Sequence, residues 1–211
     1  MRVLVIGATG LVGREVLREL AERQGVTEVV ALVRRAPAAR ESVKVSYRVV
    51  DFHQLDNLDD AFAVDAVICA MGTTARATPD PDRYRQIEVE IPLAVARRAH
   101  AAGATRLGLV SSVGADAGSR TTYLRQKGEL ERQLESMGWK RLVIARPSVL
   151  KGDRREFRFA EKLGIWLGAL LPARYRPVHA KRVAAELVAA VLRGGPAVEV
   201  LDNVTLREGI A

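Results

Sequence analysis

Short apolar runs rich in valine and isoleucine alternate along the chain with longer segments whose apolar residues recur at helical spacing. A short, continuous apolar run is typical of a strand buried on both faces of a parallel sheet. The pattern predicts strands at Arg2–Ile6, Glu28–Val33, Val43–Val50, Asp65–Ala70, Arg106–Ser111, Arg141–Arg146 and Val198–Leu201. It predicts helices at Leu11–Arg23, Asp82–Ala102 with an interruption at Pro92, Tyr123–Met137, Glu156–Leu170 and Ala180–Leu192. Together these elements predict an α/β fold, a doubly wound parallel sheet with helices on both faces.

Length and composition favour one domain spanning residues 1–211, because the 211 residues contain no internal repeat and no long linker. No apolar run reaches the length of a membrane span, and because Met1 and Arg2 lead straight into the first predicted strand we expect no signal peptide. The single cysteine, Cys69, excludes an internal disulfide and a multi-cysteine metal site. We interpret Cys69 as a small buried apolar residue and expect a cytoplasmic protein with no metal.

The formal net charge of +8 raises the question of an anionic partner. Basic residues are densest between Lys151 and Arg182, a region that we interpret either as a solvated surface or as a small substrate-side region for an anionic small molecule. Elsewhere the charges are scattered, and aromatic residues make up only 5% of the chain. Both features argue against a nucleic-acid partner.

A glycine-rich turn joins the first predicted strand to the first predicted helix. Its glycines follow the spacing G-x-x-G-x-x-G, in which the first allows a tight turn, the second lets a diphosphate approach the backbone and the third lets helix and strand pack closely. The helix N-terminus adds free N–H groups and a positive dipole end. The sequence therefore predicts a Rossmann fold with a dinucleotide phosphate site at Gly7, Thr9, Gly10, Leu11, Val12 and Gly13.

The end of the second strand favours NADP over NAD. An NAD site usually places an acidic residue there, roughly 20 residues beyond the glycines, to bind the ribose 2′-hydroxyl. Here the strand is followed by Arg34 and Arg35, with no acid within reach. A guanidinium suits a 2′-phosphate, so we predict that Arg34, and secondarily Arg35, binds it.

Two further loops are candidates for cofactor contacts. Asp51 and Phe52 follow the third strand, where the adenine ring would lie, although Asp51 could equally cap the following turn. After the fourth strand come Ala70, Met71, Gly72 and Thr73. Their generally small size would let the backbone pass close to the ribose and the diphosphate.

Candidate proton-transfer residues lie at the start of the helix that follows strand five. Tyr123 and Lys127 are spaced i and i+4, so they share one helix face. An ammonium about 4 Å from a phenol would favour the phenolate by roughly 4 kcal/mol at an effective dielectric of about 20, which suits general acid/base catalysis. Ser111 and Ser112 end strand five, and we prefer Ser112 as donor to a substrate oxygen that becomes an alkoxide.

The sequence resembles the atypical short-chain dehydrogenase/reductases, among them the Tat-interactive-protein-like oxidoreductases and the bacterial proteins called NAD-dependent epimerase/dehydratases. The resemblance rests on Gly7–Gly13, Leu32–Arg35, Cys69–Thr74, Leu109–Asp116, Tyr123–Glu131 and Arg146–Leu150. It implies catalytic roles for Ser112, Tyr123 and Lys127, and cofactor contacts for Ser111, Tyr123, Lys127, Arg146, Pro147 and Val149. It also implies a homodimer. Standard members carry N-N-A-G after strand four, whereas this chain has Cys69-Ala70-Met71-Gly72, so the asparagine that supports a proton relay is missing there.

Two functions follow from these residues. The first is an enzyme that moves hydride between NADP and a small carbonyl or alcohol, although epimerase or dehydratase chemistry can use the same cofactor and tyrosine. The second is an NADP-binding redox-sensing regulator with little turnover, which the missing asparagine and the short region after Leu150 leave open.

Overall fold

A computed structural model of the chain describes residues 1–38, 42–56, 58–152 and 172–209. The predicted helix Glu156–Leu170 and most of the basic stretch from Lys151 to Arg182 lie outside the described residues.

The centre of the molecule is a seven-stranded parallel sheet, which confirms the predicted fold class. The strands follow the order β3-β2-β1-β4-β5-β6-β9 across the sheet. All seven predicted strands are present with ends that differ by at most a few residues. Their bounds are β1 Arg2–Ile6, β2 Glu28–Val33, β3 Val45–Val49, β4 Ala66–Cys69, β5 Arg106–Val110, β6 Arg141–Ala145 and β9 Val198–Leu201. A separate two-stranded parallel sheet pairs β7 Leu150–Lys151 with β8 Val178–His179.

Helices cover both faces of the sheet. They are α1 Leu11–Glu22, α2 Asp59–Phe62, α3 Pro81–Arg85, α4 Ile91–Ala101, α5 Thr122–Glu135, α6 Ala180–Leu192 and α7 Asn203–Glu208. A π-helical turn at Gln86–Glu90 joins α3 to α4, and a 3-10 turn lies at Ala173–Tyr175. The short elements α2, α7, β7 and β8 escaped prediction because they span too few residues for periodicity to be visible.

Two apolar clusters, one on each face, form the core. Alternate residues of a strand point to opposite faces, so Val3 and Val5 join the cluster under α1 and α6, whereas Leu4 and Ile6 join the cluster under α4 and α5. β1 pairs with β2 on one side and with β4 on the other, so the chain reverses its direction of travel across the sheet at this strand. Ligands of doubly wound sheets bind beyond the carboxyl ends of the strands at such a point.

Candidate functional site

The turn between β1 and α1 leaves no space for side chains at two of its glycines. Gly7 has φ +76°, and a Cβ there would lie 2.4 Å from the Ala70 carbonyl carbon. A Cβ on Gly13 would lie 2.0 Å from the Gly7 carbonyl oxygen, so α1 packs directly against the turn. The N-cap of α1, Gly10, makes no side-chain capping bond, and the first N–H groups of the helix therefore remain available to an anion.

A groove of about 540 Å³ opens beside this turn, across the carboxyl ends of β1, β2 and β4. We call it the strand-end groove. The predicted cofactor residues that line it are Gly7, Thr9, Gly10, Arg34, Phe52, Ala70, Met71, Gly72 and Thr73. Sequence reasoning missed further lining residues, because they belong to a loop and a helix without a recognisable motif. They are Ala77, Thr78, Pro79, Asp80, Arg83, Ile87 and Ile91. The groove spans three strand ends, it is lined by the backbone of the glycine turn, and the uncapped N-terminus of α1 lies beside it. These features fit an extended molecule carrying a diphosphate.

The two arginines after β2 differ in position. Arg34 lines the strand-end groove, and its guanidinium has no ion-pair or hydrogen-bond partner among the described residues. Arg35 is exposed and does not line the groove. At the predicted adenine position Phe52 lines the groove, while Asp51 Oδ1 accepts a hydrogen bond from the His53 N–H at 2.9 Å, which matches the turn-capping interpretation of Asp51. The geometry thus keeps Arg34 as the leading candidate for a phosphate contact.

Tyr123 and Lys127 lie together on the first turns of α5, as their spacing predicts. Lys127 Nζ lies 6.0 Å from the centroid of the Tyr123 ring, and it donates a long hydrogen bond of 3.4 Å to the Val110 carbonyl at the end of β5. Only 3% of Lys127 is exposed. The close approach of α5 depends on Gly128, where a Cβ would lie 2.2 Å from the Ala117 backbone nitrogen. The packing of α5 therefore places an ammonium beside the strand end and the phenol near it.

Ser111 and Ser112 follow directly after Val110, whose carbonyl accepts the Lys127 hydrogen bond. The Ser111 N–H donates to the Ala145 carbonyl, and the Val113 N–H donates to the Pro147 carbonyl, so the chain after β5 continues along the chain after β6. Ser111 Oγ is buried and has no hydrogen-bond partner among the described residues. Ser112 is half-buried, and its hydroxyl donates only a 3.3 Å bond to the Val113 carbonyl. Both hydroxyls thus retain capacity for a ligand.

The loop after β6 contains the remaining candidate residues. The Arg146 guanidinium makes two contacts with the Glu131 carboxylate of α5, at 3.1 and 2.5 Å, so this side chain is already paired. Pro147 is buried, and Val149 is 65% exposed. Cofactor contacts by Arg146, Pro147 and Val149 stay predictions.

A buried carboxylate, Glu88, lies in contact with Lys127. Glu88, Lys127 and Tyr123 form a group that we call the charged cluster, and sequence reasoning missed Glu88. Glu88 is fully buried; its Oε2 lies 2.9 Å from Lys127 Nζ, and its Oε1 accepts a hydrogen bond of 2.6 Å from the Thr73 N–H. The expected ammonium beside Tyr123 is therefore already paired with an anion. The sequence did contain a signal, because Glu88 occupies a position on the same helix face as Tyr84, Ile91 and Val95, all of which are buried. A charged residue in such an apolar stripe usually has a buried partner.

Pro92 accounts for the π-helical turn that contains Glu88. Proline has no N–H to donate to the carbonyl four residues earlier, here that of Glu88, and its ring crowds that carbonyl. The helix widens at this point into the π turn Gln86–Glu90, in which the Ile91 N–H donates to the Gln86 carbonyl. Single π turns of this kind are frequent at functional sites.

Two other titratable groups near the cluster are uncharged at neutral pH. Burial raises the pKa of the Cys69 thiol to about 11, which confirms the interpretation of this cysteine as a buried apolar residue. Burial and then the Glu88 charge raise the pKa of Tyr84 to about 12. The charges inside the cluster are therefore those of Glu88 and Lys127.

A Rossmann-type sheet with a glycine turn, a strand-end groove and a tyrosine–lysine pair defines a nicotinamide-dinucleotide-binding protein. Comparison with known protein families leads to the same class. The model of a family described as NAD(P)H-binding matches residues 7–192, and the chain belongs to that family.

The chain is similar to two relatives by sequence and to one solved structure by fold. It is 33% identical to Protein HTATIP2 of Rattus norvegicus over 95% of this chain and 86% of the relative. It is 33% identical to Protein FMP52, mitochondrial, of Eremothecium gossypii, over 81% of this chain and 77% of the relative. A solved structure of a putative NAD-dependent epimerase/dehydratase from Bacillus halodurans superposes with a TM-score of 0.69 at 25% identity, covering 92% and 88% of the two chains. These similarities confirm the predicted resemblance to oxidoreductase-like NAD(P)-binding proteins.

Location is less uniform among the relatives. The FMP52 relative is mitochondrial by its name, so the cytoplasmic location stays a prediction. In the described part of the chain no helix combines the length and the apolar character that crossing a bilayer requires.

Proposed function

We propose that the chain is an NADP-dependent oxidoreductase that transfers hydride between its cofactor and a small carbonyl or alcohol. The observation that carries the proposal is the position of the Tyr123–Lys127 pair beside the end of β5, at the same sheet edge as the uncapped N-terminus of α1. Reduction of a carbonyl needs a proton donor at the oxygen that becomes an alkoxide. An acid/base pair and a phosphate site on one sheet edge satisfy this requirement.

The residues of the strand-end groove would hold the cofactor. The first N–H groups of α1 and the loop Ala70–Thr73 suit a diphosphate. The Arg34 guanidinium, which has no partner in the described part of the chain, suits a 2′-phosphate. When bound, NADPH supplies the hydride. Ser111 Oγ, which is buried and has no hydrogen-bond partner among the described residues, can donate to a ligand at the inner end of the site.

The substrate oxygen would be bound by Tyr123 and Ser112. Tyr123 donates its phenolic proton to the developing alkoxide, and the Ser112 hydroxyl donates a hydrogen bond to the same oxygen. Lys127 holds its position through the Val110 carbonyl and Glu88. The chain after β6 is too short for a large substrate domain, so we expect a small substrate. The basic residues around 151–182 would attract its anionic groups.

The test is the consumption of NADPH, followed by its absorbance, across a panel of aldehydes, ketones and nucleotide sugars. We expect turnover of at least one carbonyl, and Tyr123→Phe should lower kcat by about 10²–10⁴-fold because it removes the proton donor. Ser136→Ala, which removes an exposed hydroxyl at the far end of α5, is the control and should retain wild-type kcat.

Tight binding of NADPH without turnover of any compound would favour the redox-sensing regulator instead. Conversion of a nucleotide sugar without net NADPH consumption would favour epimerase or dehydratase chemistry. A measured reduction that Tyr123→Phe leaves unchanged would contradict the mechanism.

A further inference from the structure

Glu88 is a buried carboxylate to which the proposed mechanism gives no role beyond holding Lys127. It is completely buried; its Oε1 accepts a hydrogen bond from the Thr73 N–H at 2.6 Å, and its Oε2 lies 2.9 Å from Lys127 Nζ in an ion pair that lacks hydrogen-bond geometry. A buried ion pair is a costly way to fill a core, so its retention beside the tyrosine calls for a chemical explanation.

We propose that Glu88 is a positioning residue that balances the charge of Lys127 and thereby keeps Tyr123 protonated, poised to donate a proton in carbonyl reduction. The inference rests on the proposed function and specifies its direction. A lone ammonium near a phenol stabilises the phenolate, which is the form needed to oxidise an alcohol. A carboxylate in contact with that ammonium cancels much of its field at the phenol, so the protonated form is retained.

The groups that face Glu88 support this assignment. From α5 come Lys127 and Tyr123, from α3 comes Tyr84, and from the end of β4 comes Cys69. Burial acts to lower the pKa of Lys127, but the Glu88 carboxylate acts against burial, and the net shift is upward. The Glu88 carboxylate and the Lys127 ammonium are therefore two opposite charges in direct contact, and the Tyr123 phenol lies beside both of them.

The experiment titrates Tyr123 directly in the cofactor-free protein. Tyrosine labelled with carbon-13 at Cζ is incorporated, the Tyr123 signal is assigned by its loss in Tyr123→Phe, and the signal is followed against pH. In Glu88→Gln the phenolate of Tyr123 should form at a pH lower by about one unit or more, because the neutral amide leaves the ammonium unbalanced. With a substrate in hand, the alkaline limb of kcat/KM for reduction should move down in parallel.

Glu88→Asp is the matched variant, because it keeps the charge but withdraws it from Lys127 by one methylene. Its Tyr123 midpoint should lie between those of the wild type and Glu88→Gln. If Glu88→Gln does not fold, the downward shift in Glu88→Asp carries the test alone.

A Tyr123 midpoint that is unchanged, or that rises, in these variants would overturn the inference, since it would mean that Glu88 serves only to keep the lysine charged. The titration requires neither cofactor nor substrate. Failure of the inference can therefore be told apart from failure of the proposed function, which only the turnover panel tests.

Discussion

The two ends of the candidate site differ in the groups that form them. At the phosphate end, around Gly7 and Gly13, the fit depends on bare backbone, and no charged side chain lies within the turn. At the opposite end, Glu88 and Lys127 form an ion pair within the protein, almost without exposure to water. The comparison teaches that the first end should be sensitive to added volume and the second to altered charge.

Breaking the ion pair should have the largest effect on stability. Lys127→Met leaves the fully buried Glu88 carboxylate without a counter-charge, and we expect a loss of about 3–5 kcal/mol in the free energy of unfolding. Urea denaturation measures this loss. The double variant Lys127→Met with Glu88→Met removes both charges and should recover most of the lost stability. A single variant as stable as the wild type would mean that the buried pair is not charged.

Added volume at the phosphate end should cost less but should abolish dinucleotide binding. Gly13→Ala places a Cβ against the Gly7 carbonyl, so α1 must move, at a cost of about 1–3 kcal/mol in unfolding free energy. Gly25→Ala is the control, because a Cβ at Gly25 meets nothing within 4 Å. Thermal unfolding and titration with NADPH report the two effects. Equal behaviour of the two variants would refute the steric account of the turn.

Between these two ends, Arg34 tests cofactor choice. Arg34→Glu should weaken NADPH binding by about tenfold or more, roughly 1.4 kcal/mol, while sparing NADH, because the new carboxylate repels only the 2′-phosphate. Arg35→Glu, which changes the same charge outside the strand-end groove, should have a smaller effect. Titration calorimetry with both dinucleotides checks this prediction, and an equal loss for NADPH and NADH would argue against the assignment.

The smallest effect is expected from a charge that lies away from both ends. Asp202 caps α7, and the hydrogen bond from the Thr205 N–H lowers the pKa of its carboxyl group. Its contribution is therefore present above the ordinary carboxyl pKa and is lost as the pH falls through the lowered value. Asp202→Ala should cost about 1 kcal/mol at neutral pH. Asp202→Asn should keep the cap while removing this pH dependence of unfolding; identical acid profiles for Asn and Asp would contradict the assignment.

How far the sequence predicts the molecule follows from the same comparison. The individual strands, the glycine turn and the Tyr123–Lys127 pair are local patterns, which are visible in the spacing of residues along the chain. Glu88 and the Arg146–Glu131 pair depend on which helices meet in three dimensions, and no local spacing encodes that. Glu88 left only an indirect trace, a charge on an apolar helix face four residues before Pro92.

The most direct test of the account is calorimetric titration of the purified chain with NADPH and with NADH. We expect saturable binding of NADPH at one site per chain, tighter than that of NADH and absent in Gly13→Ala. No saturable binding of either dinucleotide to the folded wild-type chain would contradict it.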